Sequence, residues 1–270
     1  PTHAWLGLSP GLDFESRLFY KPDAAAQLVK ELSQPGYRCA PVAVGINTDA
    51  YQPAERKTGL TRSLLEVLVA AGHPFTIVTK SALVERDIDL IAAAAARGQA
   101  AVAVSITSLD RGLTRRLEPR AAAPQRRLAV IHRLAEAGIP VSVLVAPVIP
   151  VLTDPELETI LEHARRAGAR HAGYVLLRLP HEVKDLFEAW LYQHMPLKAA
   201  HVLNRVRDTR DGRLYDPRFG TRMRGTGDYA AMIEKRFALA RRRLQFDDAT
   251  RLDSSGFTPP RGDGAQLTLF

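Results

Sequence analysis

The sequence is poor in cysteine, with one residue, Cys39, among 270. A single thiol excludes an intramolecular disulfide and any all-cysteine metal site within these residues. The scarcity of thiols is typical of a reducing compartment, so we expect a cytoplasmic protein. Long apolar runs are also missing, and the sequence therefore predicts no transmembrane helix. No basic stretch followed by an apolar one resembles a secretory signal.

Two common nucleotide-binding motifs are absent as well. No GxGxxG follows a predicted strand, and no GxxxxGK followed by Ser or Thr occurs. Dinucleotide-binding and P-loop folds are therefore disfavoured. Acidic residues number 29 against 37 basic ones, which gives a formal net charge of +8. A positive protein of this kind is suited to polyanions, and nucleic acid is an expected partner class.

What the chain does contain is a repeated pattern of an apolar strand followed by a helix. The predicted strands are 40–49, 74–81, 101–110, 139–150 and 171–180. They are rich in β-branched residues and nearly all apolar, as parallel strands covered on both faces must be. The helices between them are predicted to end at left-handed glycines, Gly72, Gly98, Gly138 and Gly168. The regular alternation predicts an α/β fold with one parallel sheet, open or curled into a barrel.

Three segments follow from this pattern. Residues 1–180 form the α/β unit, in which one helix begins near Pro124 and another has Asp154 as its N-cap and Pro155 at its first position. Residues 181–246 form a helical extension: two helices broken at Pro196, an irregular Gly/Arg-rich stretch, and an Arg-rich helix over about 228–246. Residues 247–270 contain Pro and Gly and are predicted to be a flexible tail.

Polar residues cluster at the carboxyl ends of the predicted strands. Burying them costs free energy unless they bind something, and in βα barrels this edge carries the functional site. Ser81 and Asp110 have the alternative role of capping the helices that follow. Lys80 has no obvious carboxylate nearby in sequence and is therefore the strongest candidate for a ligand contact.

Three stretches carry a family resemblance: "GINTDAYQPAE", "ITSLDRGLTRRLEPRAAAPQRRLAVIHRLAEAGIPV" and "APVIPVLTD". They resemble the radical S-adenosylmethionine (radical SAM) enzymes, in particular the subgroup related to spore photoproduct lyase. The resemblance covers most of the first 180 residues. It implies a partial (β/α)6 TIM-like barrel, S-adenosylmethionine as cofactor and a 4Fe–4S cluster bound by three cysteines in a CxxxCxxC loop.

That cysteine loop is not in this sequence, and five strands are predicted where the family has six. Both differences lead us to expect that the first strand and the cluster loop precede Pro1, with the residues after the loop resembling "PTHAW". Without the cluster, this chain alone is expected to be inactive. His3 would then lie beside the cluster loop, either as a packed residue or as a functional one.

The resemblance also implies a set of cofactor-binding residues, Asn47, Thr48, Asp49, Lys80, Ser105, Pro147 and Ile149. The first three would lie near the amino-acid end of S-adenosylmethionine. Lys80 would contact its carboxylate, and Ser105 its ribose or carboxylate. The fourth-strand run that includes Pro147 and Ile149 would line the adenine pocket. Glu118 is expected instead to form an internal salt bridge with a neighbouring arginine.

One departure from the subgroup concerns the reaction itself. Spore photoproduct lyase uses a cysteine near the end of the strand that here reads "VAVGINTD", where Ile46 or Asn47 stands. Cys39 lies at the other end of that strand, too far to replace it at about 3.3 Å per residue. Reversal of a thymine dimer is therefore not expected.

The last residues, "QLTLF", resemble the short peptide by which bacterial polymerases and repair proteins bind the sliding clamp. Gln266, Leu267, Leu269 and Phe270 would be the anchors. The alternative is that these residues pack back onto the protein as a terminal strand.

Three functions remain open from the sequence. The first is a radical SAM enzyme of unknown substrate, with nucleic acid as one candidate. The second is a nucleic-acid-associated or clamp-tethered binding protein in which the barrel is only a scaffold. The third is a cluster-free lyase that uses Lys80 as a Schiff-base amine, although its Thr and Ser neighbours do not favour the apolar pocket that such an amine needs.

Overall fold

The centre of the molecule is a parallel sheet. The computed structural model describes residues 6–8, 13 and 17–260. Its five strands pair in sequential order, β1-β2-β3-β4-β5. They are Val42–Val44 (β1), Phe75–Thr79 (β2), Ala100–Ser105 (β3), Val141–Val148 (β4) and His171–Leu176 (β5). Because right-handed crossovers between sequential neighbours place the connecting helices on one side, the sheet curves as part of a βα barrel.

Helices cover the outer face of the sheet and continue after β5. The α-helices of the described residues are Ala24–Leu32 (α1), Glu55–Thr58 (α2), Leu60–Ala70 (α3), Ile88–Ala95 (α4), Arg111–Leu117 (α5), Pro124–Glu136 (α6), Leu157–Arg166 (α7), Val183–His194 (α8), Pro196–Asp208 (α9) and Gly227–Arg243 (α10). Short 3-10 helices span Ala82–Asp87 and Asp154–Glu156. Across these described segments, no helix has both the length and the apolarity needed to cross a membrane.

The apolar residues form two cores. The larger one lies between the strands and their helices, and α10 joins it through Ile233 and Phe237. The smaller one gathers the extension, with Leu191 of α8 and Val202 of α9 packed around Ile149 at the end of β4. The helical extension is therefore fixed to the carboxyl end of the sheet, and not tethered as a separate body.

The predicted fold class is confirmed, but the strands are shorter than predicted. The first differs most: residues 40–49 were expected to be extended, and only Val42–Val44 pair as a strand. The next residue, Gly45, has a φ of +89° and lies so close to β2 that a Cβ there would be 2.3 Å from the Val78 carbonyl oxygen. The chain turns at this glycine, and the residues after it form a loop at the carboxyl edge.

The predicted helix ends have a mixed outcome. Gly72, Gly98, Gly138 and Gly168 all have positive φ, between 61° and 104°, which confirms the predicted ends. The break at Pro196 is also confirmed. The N-cap prediction for Asp154 was wrong, because Asp154 lies inside a 3-10 turn and α7 begins at Leu157. Its carboxylate accepts from the Tyr229 hydroxyl of α10 at 3.0 Å, a donor that the local sequence does not reveal.

Residues 247–260 correct another prediction, because they are not a flexible tail. This amino-edge segment runs along the sheet edge where the strands begin. The amides of Asp247, Asp253 and Thr258 donate to the carbonyls of Arg170, Gly98 and Ala71 at 2.8, 2.9 and 2.8 Å. Loops before the strands leave such carbonyls without partners, and the segment satisfies them. Gln266, Leu267, Leu269 and Phe270, like His3, lie outside the described residues, so their predicted roles stay predictions.

The contact between the amino-edge segment and Gly72 can be tested by paired substitutions. Gly72 and Gly138 have φ of +61° and +75°, but a Cβ at 72 would be 2.3 Å from the Gly256 carbonyl oxygen whereas one at 138 meets nothing within 4 Å. Gly138→Ala should cost about 1 kcal/mol for its backbone conformation. Gly72→Ala should cost clearly more and speed hydrogen exchange at the Thr258 amide. Equal free energies of unfolding by urea would contradict the close contact.

Candidate active site at the carboxyl edge of the sheet

The loops that follow β1 to β4 meet at one edge of the sheet because all the strands are parallel. Asp49 follows β1, Lys80 follows β2, Thr107 follows β3, and the cis Ala146–Pro147 bond lies near the end of β4. This is the edge at which βα barrels carry their active sites. Hydrogen bonds between these loops hold it together.

Asp49 connects the first two loops. Its Oδ1 accepts from the Thr79 hydroxyl at 2.7 Å and from the Tyr51 amide at 2.9 Å, and its Oδ2 accepts from the Lys80 amide at 2.8 Å. Both carboxylate oxygens are thus occupied by groups of the protein. The preceding Asn47 and Thr48 are exposed, and their side chains make no hydrogen bond within the described residues. The loop therefore presents these two side chains, and Asp49 fixes its backbone.

Glu118 connects the second and third loops, and Thr107 connects them to β4. Glu118 Oε1 accepts from the Lys80 ammonium and lies 2.7 Å from Thr107 Oγ1, which is also 3.0 Å from the Ala146 carbonyl oxygen. Its Oε2 accepts from Arg127 Nη2 at 2.6 Å. The Arg127 side chain is 1% exposed and its Nη1 donates to the Ser105 carbonyl at 3.0 Å. One carboxylate thus holds two cations and a hydroxyl.

Opposing effects act on the ionisation of Glu118. Burial by itself raises the pKa of a carboxyl group, because it penalises the charged form. The positive charges of Lys80 and Arg127, together with the hydrogen bonds that they donate, outweigh burial and hold the pKa of Glu118 below its ordinary value of 4.5. The carboxylate is therefore ionised at neutral pH. Its single negative charge faces the two positive charges of Lys80 and Arg127, so the group has a net positive charge.

The predictions for Lys80 and Glu118 have different outcomes. An internal salt bridge between Glu118 and an arginine is confirmed, with Arg127 as the partner. Lys80 has no obvious carboxylate nearby in sequence, but the fold supplies a distant one, since Glu118 binds it from 38 residues away. Sequence separation hid this pair. Glu118 and Arg127 lie in the same stretch of the sequence that resembles the family, which begins directly after β3. This position was the sequence signal that could have identified Glu118 as a member of the site.

The remaining predicted residues differ in how accessible they are. Ser105 ends β3 and is 4% exposed. Pro147 is half-buried, and Ile149 is fully buried in the smaller core. Their contacts with a cofactor stay predictions. The capping roles of two further residues are confirmed: Ser81 accepts from the Leu83 amide at 3.2 Å, and Asp110 from the Gly112 amide at 2.7 Å.

The described residues do not provide a metal site. No group of three or more His, Cys, Asp or Glu side chains within residues 6–8, 13 and 17–260 is arranged to hold a metal ion. Cys39 is the only cysteine of the sequence. It lies before β1, at the edge of the sheet opposite Lys80; burial raises the pKa of its thiol, and nearby Ser254 of the amino-edge segment opposes this. A three-thiolate cluster therefore does not fit the residues present, whereas the cation-rich edge suits an organic ligand with a carboxylate.

Both the sequence and the fold of this chain are similar to those of known proteins. The model of the radical SAM superfamily matches residues 13–164. An uncharacterized protein of Mycobacterium tuberculosis is 37% identical over 279 residues, which cover 100% of this chain and 76% of that protein. An uncharacterized protein of Acidianus two-tailed virus is 33% identical over 132 residues, which cover 49% of this chain and 42% of that protein.

Among solved structures, the fold is similar to that of spore photoproduct lyase variants. Two of them superpose with TM-scores of 0.57 and 0.56 at 19% and 18% identity, over 82% and 84% of this chain. The matched region covers 63% and 65% of those lyase chains. The chain thus spans less than two thirds of the lyases, and at this identity the likeness concerns the fold.

The central role of Glu118 can be tested by Glu118→Gln. The change leaves buried Arg127 and Lys80 without a carboxylate and should cost about 3 kcal/mol of unfolding free energy. Glu136→Gln is the matched control, because Glu136 pairs with His132 while both side chains are more than half exposed. It should cost less than about 1 kcal/mol. Urea unfolding at pH 7 measures both, and equal losses would contradict the assignment.

The same variant should change the acid dependence of stability. A lowered folded-state pKa means that the stabilisation by Glu118 is present above the ordinary value of 4.5 and is lost as the pH falls through the folded pKa. The difference in unfolding free energy between the wild type and Glu118→Gln should therefore stay constant from pH 7 to about pH 5 and shrink below that. A difference that does not change down to pH 2 would contradict the low pKa.

Proposed function

The chain belongs to the radical SAM superfamily, and we propose on that premise that it binds S-adenosylmethionine at the carboxyl edge of its sheet as part of a radical enzyme. The observation that carries the proposal is the Lys80–Glu118–Arg127 group, which holds an ammonium at the end of β2. A 4Fe–4S cluster, where present, would supply the reductive cleavage of S-adenosylmethionine that is the chemistry of this superfamily.

Lys80 retains the capacity to bind an anion. An ammonium group has three donors, of which Glu118 takes one and Thr107, at 3.5 Å, a weak second. The side chain is 31% exposed, so at least one donor is available to a ligand. Two cations share one carboxylate in this group, and the excess positive charge favours the carboxylate of the methionine moiety. Glu118 is a positioning residue, since it holds the ammonium without contacting the ligand itself.

The loop after β1 is suited to the amino-acid end of the same ligand. Asn47 and Thr48 are exposed and have no hydrogen-bond partners in the described structure, which leaves their side chains available. Asp49 acts through the loop, because Thr79, Tyr51 and Lys80 occupy its oxygens. We therefore assign Asn47 and Thr48 as contacts and Asp49 as a positioning residue.

The adenine end of the ligand is assigned to the end of β4. Pro147 is half-buried and can present an apolar face and nearby backbone groups. Ile149 is fully buried, and its amide is not available to donate to a ligand because it donates to Thr153 Oγ1 at 2.8 Å. Ile149 thus supports the wall of the pocket from behind. Ser105, at the end of β3, is assigned to the ribose or carboxylate.

The lyase alternative with a Schiff-base Lys80 is not favoured. An amine nucleophile of this type needs an apolar surrounding or a second cation that disfavours its protonated form. The Lys80 nitrogen contacts a carboxylate and a hydroxyl instead. Thymine-dimer reversal is not proposed either, because Ile46 and Asn47 stand where that reaction uses a cysteine and Cys39 contacts the opposite edge.

The cofactor site can be tested on this chain without a cluster. Lys80→Gln removes the charge that would bind the methionine carboxylate and should weaken S-adenosylmethionine binding by about tenfold, because hydrogen bonds to charged groups contribute about 1.5–3 kcal/mol. Isothermal titration calorimetry gives the affinity. Lys30→Gln, on the exposed face of α1, is the control and should leave it unchanged. Equal affinities of both variants and the wild type would remove Lys80 from the site.

The enzyme proposal is tested on the protein isolated from its natural source. After anaerobic reconstitution with iron and sulfide, and reduction, that protein should form 5′-deoxyadenosine from S-adenosylmethionine. Chromatography measures the product. If no product forms, the scaffold interpretation of the barrel replaces the enzyme.

A further inference from the structure

An arginine-rich loop lies beside the edge strand of the sheet. We name residues 209–225 the arginine loop; it contains five arginines and two aspartates. Its Met223 carbonyl accepts from the Leu176 amide of β5 at 2.9 Å, and Arg210 Nη2 donates to the Leu177 carbonyl at 2.9 Å. These bonds fix the loop to the carboxyl end of β5. That is the edge of the sheet at which Lys80 lies, three strand spacings or about 14 Å away.

The two aspartates stabilise the loop from within. Asp216 accepts from Arg218 Nε at 2.9 Å and from the Thr221 hydroxyl at 2.7 Å. Asp211 accepts from Arg218 and, at 2.6 Å, from the Thr226 hydroxyl. Both carboxylates pair with Arg218. The acidic residues of the loop therefore pair with only one of its five arginines.

The other cations of this region have no carboxylate partner among the described residues. In the loop they are Arg210, Arg213, Arg222 and Arg224, and Arg178 joins them just beyond β5. The Nε atoms of Arg178 and Arg210 are buried without any hydrogen-bond partner. Buried donors of a charged group are costly to leave unsatisfied, so the positive charge of this region is not fully compensated within the protein.

The surroundings of Arg210 also contain more positive than negative charge. Its side chain is almost completely buried, and its guanidinium donates to carbonyl oxygens only. Burial lowers the pKa of Arg210, the charge of Asp216 opposes this, and the nearby positive charge of Arg178 lowers the pKa further. A bound anion would relieve the repulsion between these two guanidinium groups.

An exposed aromatic ring lies beside the arginines that have no carboxylate partner among the described residues. Phe219 is 86% exposed at the tip of the loop, and the Arg222 guanidinium carbon lies 3.8 Å from the centre of its ring. The Arg224 guanidinium lies over Tyr174 at 4.2 Å. Cations with a flat apolar ring beside them are the combination that binds single-stranded nucleic acid, in which phosphates pair with arginine and a base stacks on the ring. An acidic protein surface would use the charges but would not need an exposed ring.

We propose that the arginine loop is a binding surface for a single nucleic-acid strand, with its phosphates on Arg213, Arg222 and Arg224 and a base stacked on Phe219. The strand would pass along the carboxyl edge of the sheet. The binding of a nucleic-acid strand does not depend on the proposed function. The further assignment of that strand as the substrate of the radical reaction rests on it.

The charge contribution is tested by the salt dependence of binding. The triple variant Arg213→Gln, Arg222→Gln, Arg224→Gln is compared with Arg166→Gln, Arg242→Gln, Arg251→Gln, which removes three exposed, unpaired arginines at the opposite edge. The probe is a fluorescent 20-residue single-stranded DNA, measured by anisotropy. The slope of log affinity against log salt should fall by about 2 for the loop variant, at about 0.7 per lost phosphate contact, and stay unchanged for the control. Equal effects of both variants, or no binding by the wild type, would overturn the proposal.

The aromatic contribution distinguishes nucleic acid from a general polyanion. Phe219→Ala should weaken DNA binding about tenfold through the loss of stacking and leave heparin binding unchanged. Leu197→Ala, at a fully exposed position of α9, is the control and should change neither. If Phe219→Ala has no effect on DNA, and heparin binds as tightly as DNA, the surface accepts acidic chains in general and the nucleic-acid assignment is wrong. None of these measurements needs S-adenosylmethionine, so failure of cofactor cleavage would leave this inference standing.

Discussion

The largely buried carboxylate of Glu118 is the contact on which the carboxyl edge of the sheet depends. It accepts from Lys80 after β2 and from Arg127 of α6, and it lies beside Thr107 after β3. Without this carboxylate the positive charges of Lys80 and Arg127 would repel each other. Water could not compensate the charge of Arg127, because its side chain is buried. A buried charge group of this kind contributes little net stability compared with an apolar core, but losing one member is costly. The geometry of the edge therefore depends on all of its members together.

The two edges of the sheet are built differently, and each difference has a physical reason. At the amino edge, backbone carbonyls of the preceding loops are satisfied by the amides of residues 247–260, so that edge is closed by backbone hydrogen bonds. At the carboxyl edge, the loops contact each other through side chains, and Asn47, Thr48 and part of Lys80 remain accessible. Within the described residues, the carboxyl edge therefore presents side chains that are accessible to a ligand, whereas the amino edge is covered by residues 247–260.

The arginine loop extends this accessible edge along β5, the last strand of the described sheet. The two carboxylates of the loop both bind Arg218, so the other arginines of the loop have no carboxylate partner among the described residues. The cofactor assignment and the strand-binding assignment thus concern neighbouring parts of one surface. A radical enzyme positions its substrate next to the cofactor, and this arrangement suits a long anionic substrate that crosses the edge of the sheet.

The sequence by itself determined the βα order, the glycine ends of the helices and the edge at which polar residues gather. These features follow from local periodicity and from backbone conformations that one residue type favours, as at Gly72. Apart from the salt bridge of Glu118 with an arginine, which the sequence predicts, tertiary structure decided which charges pair. Lys80 and Glu118 are 38 residues apart, and the donors that take Asp154 from its predicted capping role come from α10. It also decided that residues 247–260 follow the sheet edge, because the carbonyls they satisfy belong to loops far away in the chain. Local sequence specifies backbone conformation, whereas the partner of a charge depends on which distant segments the fold brings together.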